Sequence, residues 1–365
     1  MSDYIPFEIQ SEIMKRLPVK SLVQFRSVSK QWKSFIDCPE FIKTYHINHP
    51  NPKHHLLVRY KLGSVRKYTS IIDDNTFPQQ KFPLTAPEPL NSLRYTLTRG
   101  SVDGLLCYYG LYQDVDLETH MVVIWNPSVR KCVGIVIPNV LRSKVGYTRI
   151  GFGVCPRTND PKLVKINVVQ TPSICWEVQV FTLSSRVWKT VFTGAPLRSC
   201  TLMSEHVFVD AIIYWSTRGS FILSFDLKSD KFGEVSIPER FVRTYGQRVV
   251  KVNGSLGLLE YNKEGEMWVC GVWMRKDHVN NPFTKIYTVK VEGKSVFFKV
   301  LGFRNNGEVL LQSDDDDSEG SQIEVYEPSS GRINSVGISG ERLTFSAWWY
   351  METLLLLDQS NSIIH

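Results

Sequence analysis

The first 45 residues repeat their apolar positions with the period of an α-helix. Ile9, Ile13 and Leu17 recur at intervals of four, which places their side chains on one face of a helix. Pro6 suits the first turn of that helix, and Pro18 ends it because proline lacks the N–H that helical hydrogen bonding needs. The pattern predicts a first short helix with one apolar face.

Three further short helices are predicted before residue 46. The first has the capping-box spacing of Ser21 and Gln24, the second follows the potential N-cap Ser29, and Pro39 opens the third. A unit of about 40 residues seldom buries enough apolar surface to fold alone. Its single cysteine, with no histidine beside it, suggests neither a disulfide nor a metal site. We therefore expect the segment either to cap the rest of the chain or to dock on another protein.

The pattern changes after residue 45. Residues 46–55 contain two prolines and four histidines and are predicted to form a hinge. Beyond the hinge, short runs rich in β-branched and aromatic residues are bounded by Gly, Pro, Asn, Asp and Ser, as in all-β domains. The predicted strands are 54–60, 104–109, 121–125, 163–169, 177–182, 211–215, 220–226, 267–274, 285–291, 295–301, 308–312 and 322–326.

A short element repeats through these strands: an aromatic residue ends one strand, a turn follows, and an apolar residue begins the next strand. The copies average near the ~50-residue period of kelch-type blades. A four-stranded blade buries both faces only when it stacks against others. We predict a kelch-like β-propeller of about six blades, with strands before residue 100 and after residue 340 sharing one blade; a β-sandwich is the alternative. The copies are Trp125–Cys132, Phe181–Trp188, Phe225–Phe232 and Tyr326–Ile333, with a weaker one from Tyr287.

Composition narrows the choice of partners. The chain has 43 Lys+Arg and 36 Asp+Glu, a net charge of +7, but no basic run, so nucleic acid is not an expected partner. The longest aliphatic run, Leu354–Leu357, is far shorter than the ~20 residues that cross a bilayer, and the first residues form no apolar leader. Seven scattered cysteines without a Cys-x-x-Cys pair predict reduced thiols. These features predict a protein of the cytoplasm, the nucleus or both, without a membrane partner.

Candidate chemistry is sparse. The sequence has no nucleophile elbow, phosphate-binding loop, His-Glu-x-x-His or dinucleotide fingerprint, so we predict no enzymatic activity and no cofactor. The four hinge histidines (His46, His49, His54 and His55) are irregularly spaced and lack an adjoining Cys, Asp or Glu, so no metal site is predicted. The acidic run 313–320 is predicted to be a solvated loop, with a contact to a basic target or serine phosphorylation as alternatives. Most tryptophans are expected to anchor blades rather than line a binding face.

Residues 5–41 resemble the F-box motif, chiefly through the blocks Leu17-Pro-Val-Lys-Ser-Leu22 and Val28-Ser-Lys-Gln-Trp32. The resemblance implies that these helices dock the Skp adaptor of an SCF-type (Skp–cullin–F-box) ubiquitin ligase, and reach its cullin and RING subunits through it. For Val28 and Trp32, packing inside the helical unit is the alternative. The resemblance implies adaptor-binding roles at or directly behind the docking surface for Pro6, Ile9, Leu17, Pro18, Val19, Leu22, Arg26, Val28 and Trp32.

The β-rich region is similar to the F-box-associated domain of plant F-box proteins over about residues 100–300. This similarity implies a domain that captures a target protein, whose identity the sequence does not specify. The predicted organisation is an F-box at 1–45, a hinge at 46–55 and a propeller-like substrate-binding domain at 56–365, together acting as a non-catalytic receptor of a ubiquitin ligase. The alternative is a glycan- or small-molecule-binding propeller with the helices as a structural cap. The similarity rests on Gly104–Cys107, Ile124–Ser128, Gly151–Gly153, Val178–Leu183, Ile213–Trp215 and Leu223–Leu227.

Overall fold

Helices come first in the chain and strands follow. The computed structural model describes residues 5–48, 52–114, 117–143, 146–169, 173–196, 198, 200–242, 248–265, 267–276, 283–291, 298–314, 320–359 and 361–365. Within these ranges the leading helices are α1 (Phe7–Met14), α2 (Val19–Phe25), α3 (Lys30–Ile36) and α4 (Pro39–Asn48). Two four-residue helices, α5 (Glu88–Asn91) and α6 (Glu239–Val242), lie among the strands.

The strands of the described residues form six sheets, which we number as blades in chain order. The strand orders are β25-β1-β2-β3 in blade 1, β26-β7-β6-β5-β4 in blade 2, β12-β11-β10-β9-β8 in blade 3, β13-β14-β15-β16 in blade 4, β17-β18-β19-β20 in blade 5 and β21-β22-β23-β24 in blade 6. The bounds are β1 His54–Leu62, β2 Val65–Ile72, β3 Lys81–Pro83, β4 Leu93–Val102, β5 Leu105–Asp114, β6 Leu117–Asn126, β7 Lys131–Val136, β8 Arg142–Ser143, β9 Gly146–Cys155, β10 Asp160–Val169, β11 Cys175–Thr182, β12 Val187–Gly194, β13 Leu202–Val209, β14 Ile212–Thr217, β15 Phe221–Asp226, β16 Lys231–Ser236, β17 Arg248–Val252, β18 Ser255–Glu264, β19 Met267–Arg275, β20 Phe283–Lys290, β21 Phe298–Phe303, β22 Val309–Asp314, β23 Gly320–Tyr326, β24 Ile333–Glu341, β25 Ser346–Met351 and β26 Ser362–Ile364.

The predicted fold class is confirmed, because the helices precede an all-β, six-bladed β-propeller; the β-sandwich alternative is wrong. Each of the twelve predicted strands overlaps an observed strand. Strand β25 lies beside β1, so blade 1 joins strands from before residue 100 and after residue 340, as predicted. The C-terminal β26 also pairs in parallel with β7, where Ser362 lies opposite Val133. The kelch-type assignment of the repeat stays a prediction.

The repeated sequence element is a β-hairpin that occurs at equivalent places in four blades. In each copy the first and last residues are directly paired across the two strands: Trp125 with Cys132, Phe181 with Trp188, Phe225 with Phe232, and Tyr326 with Ile333. The residue two places before the end has positive φ in every copy, at Arg130, Arg186, Asp230 and Gly331. One shared turn geometry therefore explains the repeat. The weaker copy from Tyr287 is wrong, since Tyr287 lies inside β20.

The chain forms two compact units: Met1–Leu57 with Tyr68–Pro138 and Trp348–His365, and Val58–Lys67 with Asn139–Ala347. In the second unit, apolar side chains of successive blades form shared cores, such as Trp176 and Val178 of blade 3 with Trp215 and Phe225 of blade 4. The middle strands β10 and β14 are buried along almost their whole length. Burial on both faces explains why these strands read as continuous apolar runs.

Successive blades of the second unit are also joined through backbone groups. At Leu202 in β13 and at Val300 in β21 the register with the next strand shifts, which leaves local N–H and C=O groups without regular sheet partners. The preceding blade supplies those partners. Tyr147 Oη accepts from Leu202 N at 2.9 Å and Arg149 Nε donates to Leu202 O at 2.9 Å.

Blades 5 and 6 repeat this arrangement with different residues. Tyr261 Oη accepts from Val300 N at 2.9 Å, and Arg248 Nη1 donates to Val300 O at 2.8 Å. Burial raises the pKa of Tyr261, so its phenol stays neutral in the folded state. A tyrosine and an arginine of one blade thus hold the first strand of the next, a form of blade cohesion that apolar packing alone does not supply.

Replacing Tyr261 with phenylalanine should lower the free energy of unfolding by about 1–3 kcal/mol, because Val300 N–H would be buried without an acceptor. Thermal unfolding of the full chain measures the change. Tyr95→Phe is the matched control, since Tyr95 is 81% exposed and its change should be within about 0.5 kcal/mol of zero. Equal stability of the two variants would show that the Tyr261 hydrogen bond does not hold the blades.

The ends of the helices refine the local predictions. Ser29 is the N-cap of α3, as predicted, and its hydroxyl accepts from Trp32 N at 3.1 Å. The capping box predicted at Ser21 is wrong, because α2 begins at Val19 and Pro18 O already accepts the first helical N–H groups. Helix α4 extends to 48 and β1 begins at 54, so parts of the predicted hinge 46–55 are helix and strand.

Candidate functional site

Helix α1 presents a row of apolar side chains to solvent. Ile9 and Ile13 are 53% and 47% exposed and stand four residues apart, which places them on one side of the helix, and Ile5, two residues before the helix begins, is 50% exposed. We call these three residues the α1 apolar stripe. Val28, after α2, is exposed as well, at 62%. An apolar row of this kind on a surface is typical of a binding site for another protein.

The opposite side of α1 explains why the stripe faces outward. Phe7 packs edge-on against Phe35 with ring centroids 5.5 Å apart, Gln10 Oε1 accepts from Trp32 Nε1 at 2.7 Å, and Met14 is buried. These three positions, 7, 10 and 14, follow the helical period and fix the rotation of α1. With that side bound to α3, the isoleucine side chains are left half-exposed to solvent.

The residues predicted to bind an adaptor occupy three kinds of position. Arg26 forms a two-pronged ion pair with Asp37 at 2.6 and 2.9 Å, and the Trp32 ring lies 5.1 Å from that of Phe25, so both make internal contacts. Adaptor binding by these residues stays a prediction, because their exposure and internal contacts do not test it. Exposed are Pro6, Ile9, Pro18 and Val28; half-buried are Leu17, Arg26 and Trp32; buried are Val19 and Leu22.

Helix α4 is joined to the segment between α1 and α2 through Tyr45. The buried Tyr45 donates its hydroxyl hydrogen to Leu17 O at 2.6 Å. Burial raises the pKa of Tyr45, and the nearby carboxylate of Glu352 adds to the rise. Glu352 N in turn donates to Lys53 O at 3.1 Å. Lys53, within the predicted hinge, is therefore hydrogen-bonded to a residue near the C-terminus.

A serine, a histidine and a glutamate meet at the start of blade 1. His55 Nδ1 lies 3.1 Å from Ser70 Oγ and its Nε2 lies 3.3 Å from Glu352 Oε1. The set has the composition of a hydrolase triad, but Ser70 is buried and its hydroxyl also contacts Tyr350 Oη at 2.9 Å. A substrate carbonyl has no access to such a hydroxyl, so we assign the cluster to packing.

The other residues that the sequence singled out do not form a second functional site among the described residues. No group of histidine, cysteine or acidic side chains suited to hold a metal occurs within the described ranges. All seven cysteines are free. The side chains of His46 and His49, and residues 315–319 of the acidic run, lie outside the described residues. None of the described helices has the length and apolar character that crossing a bilayer requires.

Comparison with known proteins decides the family. Residues 3–44 match the F-box domain, and residues 62–355 match the F-box associated beta propeller domain. The chain belongs to the F-box-associated propeller family. The Arabidopsis thaliana F-box protein At1g47790 is 31% identical over 84% of this chain and 79% of its own length. The A. thaliana F-box protein At2g21930 is 26% identical over 93% of this chain and 87% of its own length.

The F-box of this chain thus comprises α1 to α4, and its exposed apolar stripe is part of the matched region. Sequence reasoning included Ile9 among the adaptor-binding residues and passed over Ile5 and Ile13. The signal for Ile13 was available, because it follows Ile9 by four residues within the predicted helix. That Arg26 has Asp37 as its partner was not predictable from spacing, since the two residues belong to different helical segments.

Proposed function

We propose that this F-box protein is the substrate-recognition subunit of an SCF-type ubiquitin ligase. The F-box would bind a Skp-type adaptor, which connects it to the cullin and RING subunits, and the propeller would bind a target protein. The observation that carries the adaptor role is the α1 apolar stripe, which is exposed because the other side of α1 is bound to α3. Covering such a stripe with a partner removes apolar surface from water.

In this role the chain contributes proximity rather than chemistry. Holding a target beside a ubiquitin-loaded conjugating enzyme makes the transfer effectively intramolecular and raises the effective concentration of the target lysine. The F-box protein then needs no reactive group of its own, in keeping with the buried state of Ser70. We place this activity in the cytoplasm, the nucleus or both.

The glycan-binding alternative gains no support from the tryptophans. Sugar sites on propellers would need exposed indole rings, whereas each of the nine tryptophans of this chain is buried or half-buried. Trp125, Trp176, Trp215 and Trp273 belong to the buried cores. This distribution favours tryptophans as blade anchors.

Substituting aspartate for both Ile9 and Ile13 should weaken binding of a purified Skp-type adaptor about 100-fold or more. Docking would bury two carboxylates without partners, at a cost of several kcal/mol, and 1.4 kcal/mol is a factor of ten in affinity. Both side chains are half-exposed in the free chain, so the variant should fold normally. Surface-immobilised adaptor and full-length chain give the dissociation constants.

Leu343→Asp is the matched control, because Leu343 is 88% exposed and lies outside the F-box. It should bind the adaptor like the wild type. Absence of adaptor binding by the wild-type chain would refute the proposed function. Undiminished binding by the double variant would refute the assignment of the stripe as its docking surface.

A further inference from the structure

Two adjoining depressions run along strand β12, the outermost strand of blade 3. One, of about 490 Å³, is lined by residues from Val180 to Val191 and includes the half-buried Trp188. The other, of about 320 Å³, lies between blades 3 and 4. Val191 and Asp230 line both, so the two form one continuous feature, which we call the β12 groove.

The smaller depression is an aromatic pocket. Trp176, Phe192, Phe221 and Phe232 line it, with ring centroids 5.7 Å apart for Trp176 and Phe232 and 6.2 Å apart for Phe192 and Phe232. It opens where the shared core of blades 3 and 4 reaches the surface, since Phe192, Phe232 and Cys200 are only partly buried there. An aromatic or large aliphatic group would complete this core.

A polar group in the pocket wall lacks a partner. Trp176 is buried, yet its Nε1–H has no hydrogen-bond acceptor. A buried donor without an acceptor is unfavourable, so the wall of the pocket holds an unsatisfied polar group beside its aromatic rings.

The charges around the groove are not balanced. Asp230 is neutralised by Lys162, whose Nζ lies 3.1 Å from its Oδ1, and Glu234 is faced by Arg198 at 3.8 Å. Lys189 and Lys231 are exposed on the groove and have no ion-pair partner among the described residues. The two uncompensated ammonium groups favour a partner that carries carboxylates.

Backbone geometry distinguishes a peptide from a small molecule. Strands β12 and β16 each end their sheet, so each has a strand neighbour on one side only. Strand β12 is eight residues long, which is about 26 Å of edge at roughly 3.3 Å per residue. An extended chain can use an edge of that length through main-chain hydrogen bonds while a side chain enters a pocket, whereas a small molecule would use only the pocket.

We propose that the β12 groove binds an extended segment of the target protein in which an aromatic residue is flanked by aspartate or glutamate. The aromatic side chain enters the pocket of Trp176 and Phe232, and the flanking carboxylates pair with Lys189 and Lys231. The inference rests on the proposed role of the propeller in target capture, and it names the chemistry of the segment captured.

An array of synthetic nonapeptides tests the inference with the full-length chain. The central residue is varied through all twenty amino acids, and the flanks are aspartate, serine or lysine. We expect the strongest binding for Phe, Tyr or Trp between aspartates, and a loss of about tenfold for the variant Lys189→Glu/Lys231→Glu. The matched control is Lys251→Glu/Arg332→Glu, which reverses two exposed charges outside the groove and should bind as the wild type does.

A second readout follows the pocket directly. The indole N–H resonance of Trp176, assigned by its loss in Trp176→Phe, should shift when the best array peptide is added, because the indole ring lines the pocket that the aromatic side chain enters. An unmoved Trp176 resonance, or an array with no preference for acidic flanks and aromatic centres, would overturn the inference. So would N-acetylphenylalanine amide binding as tightly as the peptide, which would make the pocket a small-molecule site. Adaptor binding is measured on the same preparation, so that failure of the F-box to bind an adaptor is distinguished from failure of the β12 groove to bind a peptide.

Discussion

Replacing Asn126 with aspartate is expected to lower the free energy of unfolding by about 4 kcal/mol or more. Asn126 is fully buried, and its amide nitrogen donates to Thr353 O at 3.0 Å and to Leu355 O at 2.8 Å. Its oxygen accepts from Ser128 N at 2.9 Å. An aspartate would place a carboxylate oxygen against two carbonyl oxygens in a site closed to water, so both donated hydrogen bonds would become repulsive contacts.

Thermal unfolding of the full-length variant, followed by circular dichroism, measures the effect. The matched control is Asn334→Asp, an identical chemical change at an exposed position in β24, which should shift the free energy of unfolding by less than about 0.5 kcal/mol. Equal melting temperatures of Asn126→Asp and Asn334→Asp would show that the hydrogen bonds to Thr353 and Leu355 do not hold the C-terminal segment in place.

Replacing Gly104 with alanine is the second change with a large expected effect, a loss of about 3 kcal/mol or more. Asp103 and Gly104 form the two-residue turn between β4 and β5, with φ of +47° and +79°. A Cβ at Gly104 would overlap the carbonyl oxygen of Met351 and come within 2.7 Å of the Thr353 side chain. Strain in the turn and a clash with backbone would add together.

The chain contains a matched control for the turn strain alone. Asn253 and Gly254 form the equivalent turn between β17 and β18, with φ of +47° and +81°, but a Cβ at Gly254 would meet nothing within 4 Å. Gly254→Ala should therefore lose only about 1 kcal/mol. Comparison of the two variants by chemical denaturation separates the clash from the strain, and equal losses would mean that the Met351–Thr353 segment gives way to the added methyl group.

Both positions act on the same short piece of chain, residues 351–355. Gly104 allows that segment to lie against the β4–β5 turn, and Asn126 hydrogen-bonds its carbonyl groups. Farther on, Asn361 Oδ1 accepts from Cys132 N at 3.1 Å and β26 pairs with β7. Gly104 and Asn126 fall in the blocks that carry the likeness to the F-box-associated domain, and the structure gives a physical reason for each: they fasten the C-terminus to blade 2.

The strands predicted from the sequence are mostly inner strands of the blades. Ten of the twelve predicted strands are second or third strands of their blades, such as β10 and β14, whose side chains are buried on both faces and so form continuous apolar runs. First and fourth strands, such as β13 and β12, have mostly exposed or half-buried positions and carry polar residues. Their apolar signal is too dilute to separate from that of loops.

The β12 groove could not be predicted in the same way. Trp176, Phe192, Phe221 and Phe232 each resemble ordinary strand residues in the sequence, and they come from four strands of two blades. Only the packing of blade 3 on blade 4 brings their rings together and leaves a pocket between them. The same holds for the pairing of Tyr261 with Val300, where the two residues are 39 positions apart.

Local spacing along the chain was enough to predict the helical start, the all-β remainder and the resemblance to an F-box, because helical period, turn residues and short motifs each involve neighbouring residues only. Tertiary structure decided which side of α1 meets solvent, since the contacts of Phe7 and Gln10 with α3 leave Ile5, Ile9 and Ile13 outside. It also decided the binding of residues 351–355 to Gly104 and Asn126, because contacts across more than 200 positions depend on where the folded chain returns, and no local pattern encodes that path.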